Sequence, residues 1–169
     1  MGLILDSSVL IAAERQGKNA RQVLTAIREN IGETEVGISV VTLIELAHGA
    51  ARADTPQRRS GRQKFIEELI SAMPVYPVTV AIALRAGQID GENQARGLRL
   101  ALPDLLIGVT ALELGYDVGT ANVRHFEDVP GLSRPASLTM SHLTLIEETG
   151  DWDWTDRVCF LRRGEKEKV

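Results

Sequence analysis

Gly2-Leu3-Ile4-Leu5-Asp6-Ser7-Ser8-Val9-Leu10-Ile11-Ala12 opens the chain with a short apolar run that stops at an acid. A run of this length without polar alternation reads as a strand covered on both faces, the state typical of parallel sheets. Ser7 and Ser8 then offer helix-capping hydroxyls to the apolar segment behind them. The rest of the chain repeats this grammar. Val23, Leu24, Ile27 and Ile31 fall at helical spacing and predict an amphipathic helix over 20–31, ended by Gly32. A second strand is expected over 36–39, passing into a helix through Leu43, Leu46, Ala47 and Ala50 that Asp54-Thr55-Pro56 breaks. The next helix carries Phe65, Ile66, Leu69, Ile70 and Met73 on its apolar side. Residues 74–78 read as a third strand, and 79–101 as helix interrupted by Gly87, Gly91 and Gly97. The segment 105–114 is apolar nearly all round, which marks a buried helix closed by Gly115, and 117–121 reads as a fourth strand.

Strands alternating with helices at these lengths imply right-handed βαβ units and a mainly parallel sheet, hence an α/β sandwich. The 169 residues suffice for one domain with a real core. That domain is expected to run through residue 148, with 149–169 as a C-terminal extension and partly ordered tail. Trp152 and Trp154 are expected to anchor it before the charged end beyond Arg162. No apolar run approaches the roughly 20 residues of a membrane span, and Leu3-Ile4-Leu5 is too short for a signal peptide, so a cytoplasmic protein is expected. One cysteine, Cys159, excludes an internal disulfide and a Cys-based zinc site. The three histidines, His48, His125 and His142, lack the spacing of a zinc site.

A net charge of −4 is not that of a basic nucleic-acid binder, but the arginines cluster: Arg52, Arg58, Arg59 and Arg62 with Lys64, then Arg96 and Arg99. Guanidinium forks pair with phosphate, so local basic patches coexist with an acidic total; the alternative is a solvated helix face.

Three carboxylates have ambiguous settings taken singly. Asp6 ends a buried strand, where it faces the ligand-binding edge of a parallel sheet or caps the following helix. Glu45 sits among apolar neighbours early in a helix, paired or metal-bound if buried, otherwise on the exposed face. Asp104 follows Pro103 at the start of the most hydrophobic helix, which is ordinary helix-start chemistry as well as a place near the same edge. Together they fall at one end of the βαβ layer: strand end, early helix, helix start. Carboxylates so gathered raise one another's pKa, and a hard divalent cation relieves the repulsion.

The strand ending in Asp6-Ser7-Ser8, then Ser39-Val40-Val41-Thr42-Leu43-Ile44-Glu45-Leu46, then Leu102-Pro103-Asp104-Leu105-Leu106-Ile107, resembles PIN domains. Thr120-Ala121-Asn122-Val123-Arg124-His125-Phe126 with Pro130-Gly131-Leu132 is similar to the VapC toxin branch of that family. The resemblance runs to about Ile146. It implies a three-layer α/β/α sandwich with a central mainly parallel sheet, and a Mg²⁺- or Mn²⁺-dependent endoribonuclease. It also implies a homodimer, and a cognate antitoxin whose C-terminal segment lies in the acidic groove. Carried onto this chain, Asp6, Glu45 and Asp104 hold the metal and act in catalysis, Thr120 supports Asp6 or a metal-bound water, and Ser7 and Asn122 are supporting residues. Arg52, Arg58, Arg59 and Arg62 contact RNA phosphates or the antitoxin. The chain departs from the pattern at Asn122 and His125, where PIN domains often place aspartate. Asn122 can ligate through its carbonyl or hold a bound water but supplies no charge, so weaker occupancy of a second metal is expected. His125 is expected as a surface histidine beside the groove.

Two other readings stay open on sequence. A haloacid-dehalogenase-type phosphohydrolase also begins with a strand and an aspartate, but wants a second aspartate where Ser8 stands. A catalytically inactive RNA- or protein-binding module of the same fold draws its support from Asn122. A Walker phosphate loop is absent.

Overall fold

The computed structural model describes residues 2–133 and 159–163. Trp152, Trp154 and His142 lie outside the described residues. In chain order the elements are β1 (Gly2–Leu5), α1 (Ser7–Arg15), α2 (Ala20–Ile31), β2 (Glu35–Ser39), α3 (Val40–Ala51), α4 (Pro56–Ala72), β3 (Val75–Tyr76), α5 (Val80–Ala95), α6 (Leu102–Leu114), β4 (Asp117–Thr120), a 3₁₀ turn (Val123–His125), β5 (Leu132–Ser133) and β6 (Cys159–Arg163). The sheet order is β3-β2-β1-β4-β6-β5. The first four strands in that order pair in parallel, with Leu3 opposite Val36 on one side and Asp117 on the other.

The central strands are buried on both faces, as their unbroken apolar composition requires. Leu3, Leu5, Val36 and Ile38 point into one core with Val9, Leu10, Val23, Ile27, Phe65 and Leu69. Ile4 and Val118 point into the other with Ile82, Ile89, Leu105, Val109 and Phe126. These two cores make the expected three-layer α/β/α sandwich. Asn19 and Gln22 form a reciprocal capping box at the start of α2, and Gly115 closes α6 at φ +71°. Among the described residues no helix is long and apolar enough to cross a membrane.

The structure corrects several local expectations. Ser7 and Ser8 do not cap α1: Asp6 stands at the N-cap, makes no capping hydrogen bond, and both serines lie in the first turn. The third strand shrinks to Val75–Tyr76 between Pro74 and Pro77, since prolines cannot donate to a ladder. Residues 80–95 form one unbroken helix through Gly87 and Gly91. Buried Ile82, Ala86, Ile89 and Asn93 recur on one face and outweigh the modest cost of the two glycines. Gly97 falls just beyond it at φ +77°. Ile70 is exposed, so the buried face of α4 is narrower than its composition suggests. Cys159–Arg163 forms a strand that sequence did not reveal, antiparallel to β4.

The edge opposite the candidate site is held by a small aromatic clamp. The Tyr116 and Tyr76 hydroxyls both donate to the Glu35 carboxylate, at 2.7 and 3.1 Å, and their rings meet edge to face at 5.9 Å. The rings lie over the glycines of β1 and β2: a Cβ on Gly37 would come within 2.5 Å of the Tyr76 ring and 3.0 Å of the Pro74 carbonyl. Gly37→Ala is therefore expected to cost about 1–3 kcal/mol. It should lower Tm by roughly 3–10 °C in a thermal melt. An unchanged Tm would mean that the ring moves aside freely.

Candidate active site

The parallel strands β2, β1 and β4 all end at one edge, and the chain turns there three times. Each turn delivers a side chain. Asp6 follows β1 and is 3% exposed. Its backbone N–H donates to the Gly119 carbonyl at 2.9 Å, which seats it between β1 and β4. Two hydroxyls donate to one of its oxygens: Ser8 Oγ to Oδ2 at 2.6 Å and Thr120 Oγ1 to Oδ2 at 2.9 Å. Backbone amides from the turn after β4 hold those hydroxyls, Ala121 N–H on Ser8 Oγ at 3.0 Å and Asn122 N–H on Thr120 Oγ1 at 2.9 Å.

Glu45 lies in the second turn of α3. Thr42 ties that helix to the end of β1, its hydroxyl donating to the Leu5 carbonyl at 3.2 Å. Burial raises the Glu45 pKa above its ordinary value; the Ser7 hydroxyl beside it works the other way, and the Asp6 charge adds to the rise. Its Oε2 is buried with no hydrogen-bond partner. A cavity of about 140 Å³ adjoins Glu45, with Ile11, Phe65 and Arg62 in its lining.

Asp104, in the first turn of α6, completes the group. Burial, then the charge of Asp6, push its carboxyl up to about 6, with Glu45 contributing in the same sense. His125 opposes them, its Nδ1 standing 3.1 Å from Asp104 Oδ2. That Asp104 feels both other carboxylates places all three in one electrostatic neighbourhood.

The remaining expected residues divide. Thr120 meets Asp6 directly. Ser7 serves Glu45 rather than a helix cap. Asn122 is exposed, and it contributes its backbone N–H to the Thr120 hydroxyl. His125 is a surface histidine, 56% exposed, yet it also touches Asp104. The arginines are mostly engaged within the chain. Arg58 pairs with Asp54 at 2.7 Å, and Arg59 reaches the Ala51 carbonyl at 3.4 Å. Arg62 donates to the Gly49 carbonyl at 2.7 Å and stands 3.6 Å from Glu14. Arg52 is exposed. Ser8 is the site residue that sequence reading missed, because a hydroxyl two residues past an acid looks the same whether it caps a helix or turns back to the carboxylate.

As the side chains lie, no three His, Cys, Asp or Glu among the described residues form a metal-binding group. The donor set nonetheless fits a hard cation. A buried carboxylate oxygen without a donor, and carboxyls whose ionisation is opposed by burial and by one another, are what an oxygen-preferring divalent ion would relieve.

Comparison with known proteins agrees with this geometry. The PIN domain family model matches residues 3–132. Ribonuclease VapC1 of Rickettsia felis is 32% identical over 132 residues, covering 78% of this chain and 93% of that protein. The tRNA(fMet)-specific endonuclease VapC of Salmonella typhimurium is 32% identical over 105 residues, covering 62% of this chain and 77% of that protein. Among solved structures, DNA-bound VapBC from Salmonella typhimurium superposes with a TM-score of 0.64 at 27% identity, covering 78% of this chain and 94% of that one.

Proposed function

This chain belongs to the PIN domain family, and we propose that it is the toxin ribonuclease of a VapBC-type toxin–antitoxin pair, a divalent-cation-dependent endonuclease that hydrolyses RNA phosphodiester bonds. The observation that carries this reading is the gathering of Asp6, Glu45 and Asp104 at the sheet edge, with Glu45 Oε2 buried there without a partner and the Asp6 charge bearing on both of the others. These three residues would hold Mg²⁺ or Mn²⁺. Held by them, such an ion would supply a water of lowered pKa and positive charge beside the scissile phosphate. The chain's own residues set the frame. Thr120 and Ser8 fix the rotamer of Asp6, Ser7 steadies Glu45, and Asp104 orients His125 at the mouth of the site. Asn122, exposed beside them, is suited to holding a water through its carbonyl. The dehalogenase-type alternative loses ground at Ser8, which turns its hydroxyl onto Asp6 where that chemistry would need a second carboxylate.

The antitoxin reading draws on the solved VapBC complexes this fold resembles. In this reading its terminal segment covers the acidic edge in the cytoplasm. Arg52, exposed just past the end of the helix that carries Glu45, is better placed for phosphate or antitoxin than Arg58, Arg59 or Arg62, which are already engaged. The catalytic domain is read as extending through residue 148, and β6 as the part of the 149–169 extension that docks on β4.

A homodimer completes the proposal. Val80 and Leu84, one turn apart on α5, are 77% and 72% exposed, an unusual cost for large apolar side chains unless a partner covers them. Leu84→Asp is expected to shift the protein from dimer to monomer in light scattering. A wild type that is already monomeric at micromolar concentration would remove the dimer from the reading.

The direct test is incubation of total cellular RNA with antitoxin-free protein in Mn²⁺ and in EDTA. Discrete fragments in Mn²⁺ alone are expected. Absence of cleavage by folded protein would favour an inactive binding module.

A further inference from the structure

We propose that the carboxylate cluster is built for one divalent ion, that His125 is the side chain that restricts it to one, and that Ser8 positions Asp6 for that ion. The inference rests on the cation-dependent reading above. A two-ion site needs oxygens enough for two ions roughly 3.5–4 Å apart. Here the protein itself occupies part of the supply.

Asp6 Oδ2 accepts hydrogen bonds from Ser8 at 2.6 Å and Thr120 at 2.9 Å. The two hydroxyls also stand 3.4 Å from each other, but the shorter contact of each is to the carboxylate. Ser8 Oγ receives Ala121 N–H and Thr120 Oγ1 receives Asn122 N–H, so the single proton of each hydroxyl is left to point at the carboxylate. A cation approaching Oδ2 would meet the positive ends of two O–H dipoles. Asp6 therefore offers Oδ1. On Asp104, Oδ2 stands 3.1 Å from His125 Nδ1, which leaves its Oδ1. Glu45 contributes Oε2, buried and without a donor. Asn122 is exposed and uncharged, and its N–H is committed to Thr120. What remains is Oδ1 of Asp6, Oδ1 of Asp104 and the undonated carboxylate edge of Glu45, a set that suits a single six-coordinate ion keeping its other positions for water. Ser8 is a positioning residue: it acts on the ion only through Asp6.

The test is Mn²⁺ titration of antitoxin-free protein by calorimetry, with bound Mn²⁺ counted by electron paramagnetic resonance. Wild type should bind one ion per chain. Ser8→Ala should weaken that binding by about tenfold or more without changing the count. Ser8→Thr, which keeps the hydroxyl, should restore most of it. His125→Asp, at an exposed position, should take up a second ion, and it carries the test should Ser8→Ala fail to fold. A purely structural role for Ser8 would lower Tm and leave the Mn²⁺ affinity of the folded protein unmoved, which overturns the positioning role. Two ions in wild type, or a single ion in His125→Asp, overturns the count. No Mn²⁺ binding by wild type at all would overturn the parent reading along with this one, and is distinguishable from both.

Discussion

Asp6→Asn should abolish RNA cleavage while leaving the fold intact. The carboxylate is nearly buried, and a substitution there ordinarily threatens stability. The hydrogen bonds make this one tolerable. Ser8 and Thr120 both donate to the same oxygen, so the amide carbonyl of asparagine can take the place of Oδ2 and keep both bonds. The amide NH₂ then stands where Oδ1 stood, presenting donors to the position meant for a cation. If the ion's contribution to the transition state is about 4 kcal/mol, the rate falls by roughly a thousandfold. The variant should also lose its thermal stabilisation by Mn²⁺. The checks are cleavage of total RNA and Tm with and without Mn²⁺. Retained cleavage would remove Asp6 from the mechanism. A collapsed Tm without metal would mean that the carboxylate's charge, rather than its shape, holds the β1–β4 edge together.

The three carboxylates were legible in sequence because each sits where the hydrophobic period changes, and in a parallel α/β fold those changes gather at one edge. Their partners were not. Thr120 lies 114 residues from Asp6, and only the family resemblance pointed to it. Ser7 and Ser8 look alike in sequence, yet one serves Glu45 and the other Asp6, a difference set by where the first turn of α1 aims each side chain. His125 was legible as a surface residue, but its contact with Asp104 depends on how the turn after β4 packs. In the fold, the helix over 20–31 was readable to its ends because the apolar period and the closing glycine agree. The helix over Val80–Ala95 was misread as broken because its anchoring to the core outweighs the local preference of its glycines. Cys159–Arg163 carries no alternation that marks it, and its strand conformation comes from the free edge of β4.

Asp104→Asn should make the metal-free protein more stable at neutral pH while removing cleavage. Burial is the main cause that lifts the Asp104 carboxyl from 3.8 to about 6, with the charge of Asp6 next. In the unfolded chain the same group ionises near its ordinary value. Between those two values the folded protein binds more protons than the unfolded chain, so unfolding free energy falls as pH rises. The stabilisation is complete below the unfolded value and is lost by the time pH has passed the folded one. A shift of about two units corresponds to at most ~3 kcal/mol. Glu45, also raised by burial, acts in the same direction. Asparagine removes the charge and with it the penalty. The metal-free variant should melt several degrees above wild type at pH about 8, and the gap should close by pH about 4. Mn²⁺ should reverse the order, raising wild type and leaving the variant unmoved. Protons and the cation compete for the same oxygens, so wild-type Mn²⁺ affinity should rise as pH passes through about 6. Two influences oppose it: His125, whose Nδ1 stands 3.1 Å from Asp104 Oδ2, and the helix dipole, since Asp104 lies in the first turn of α6, where an acid is favoured by a few tenths to about 1 kcal/mol. That is smaller than the burial penalty. A variant less stable than wild type at pH about 8 would show that the dipole and His125 together win, and that Asp104 holds a helix start and its neighbour rather than waits for an ion.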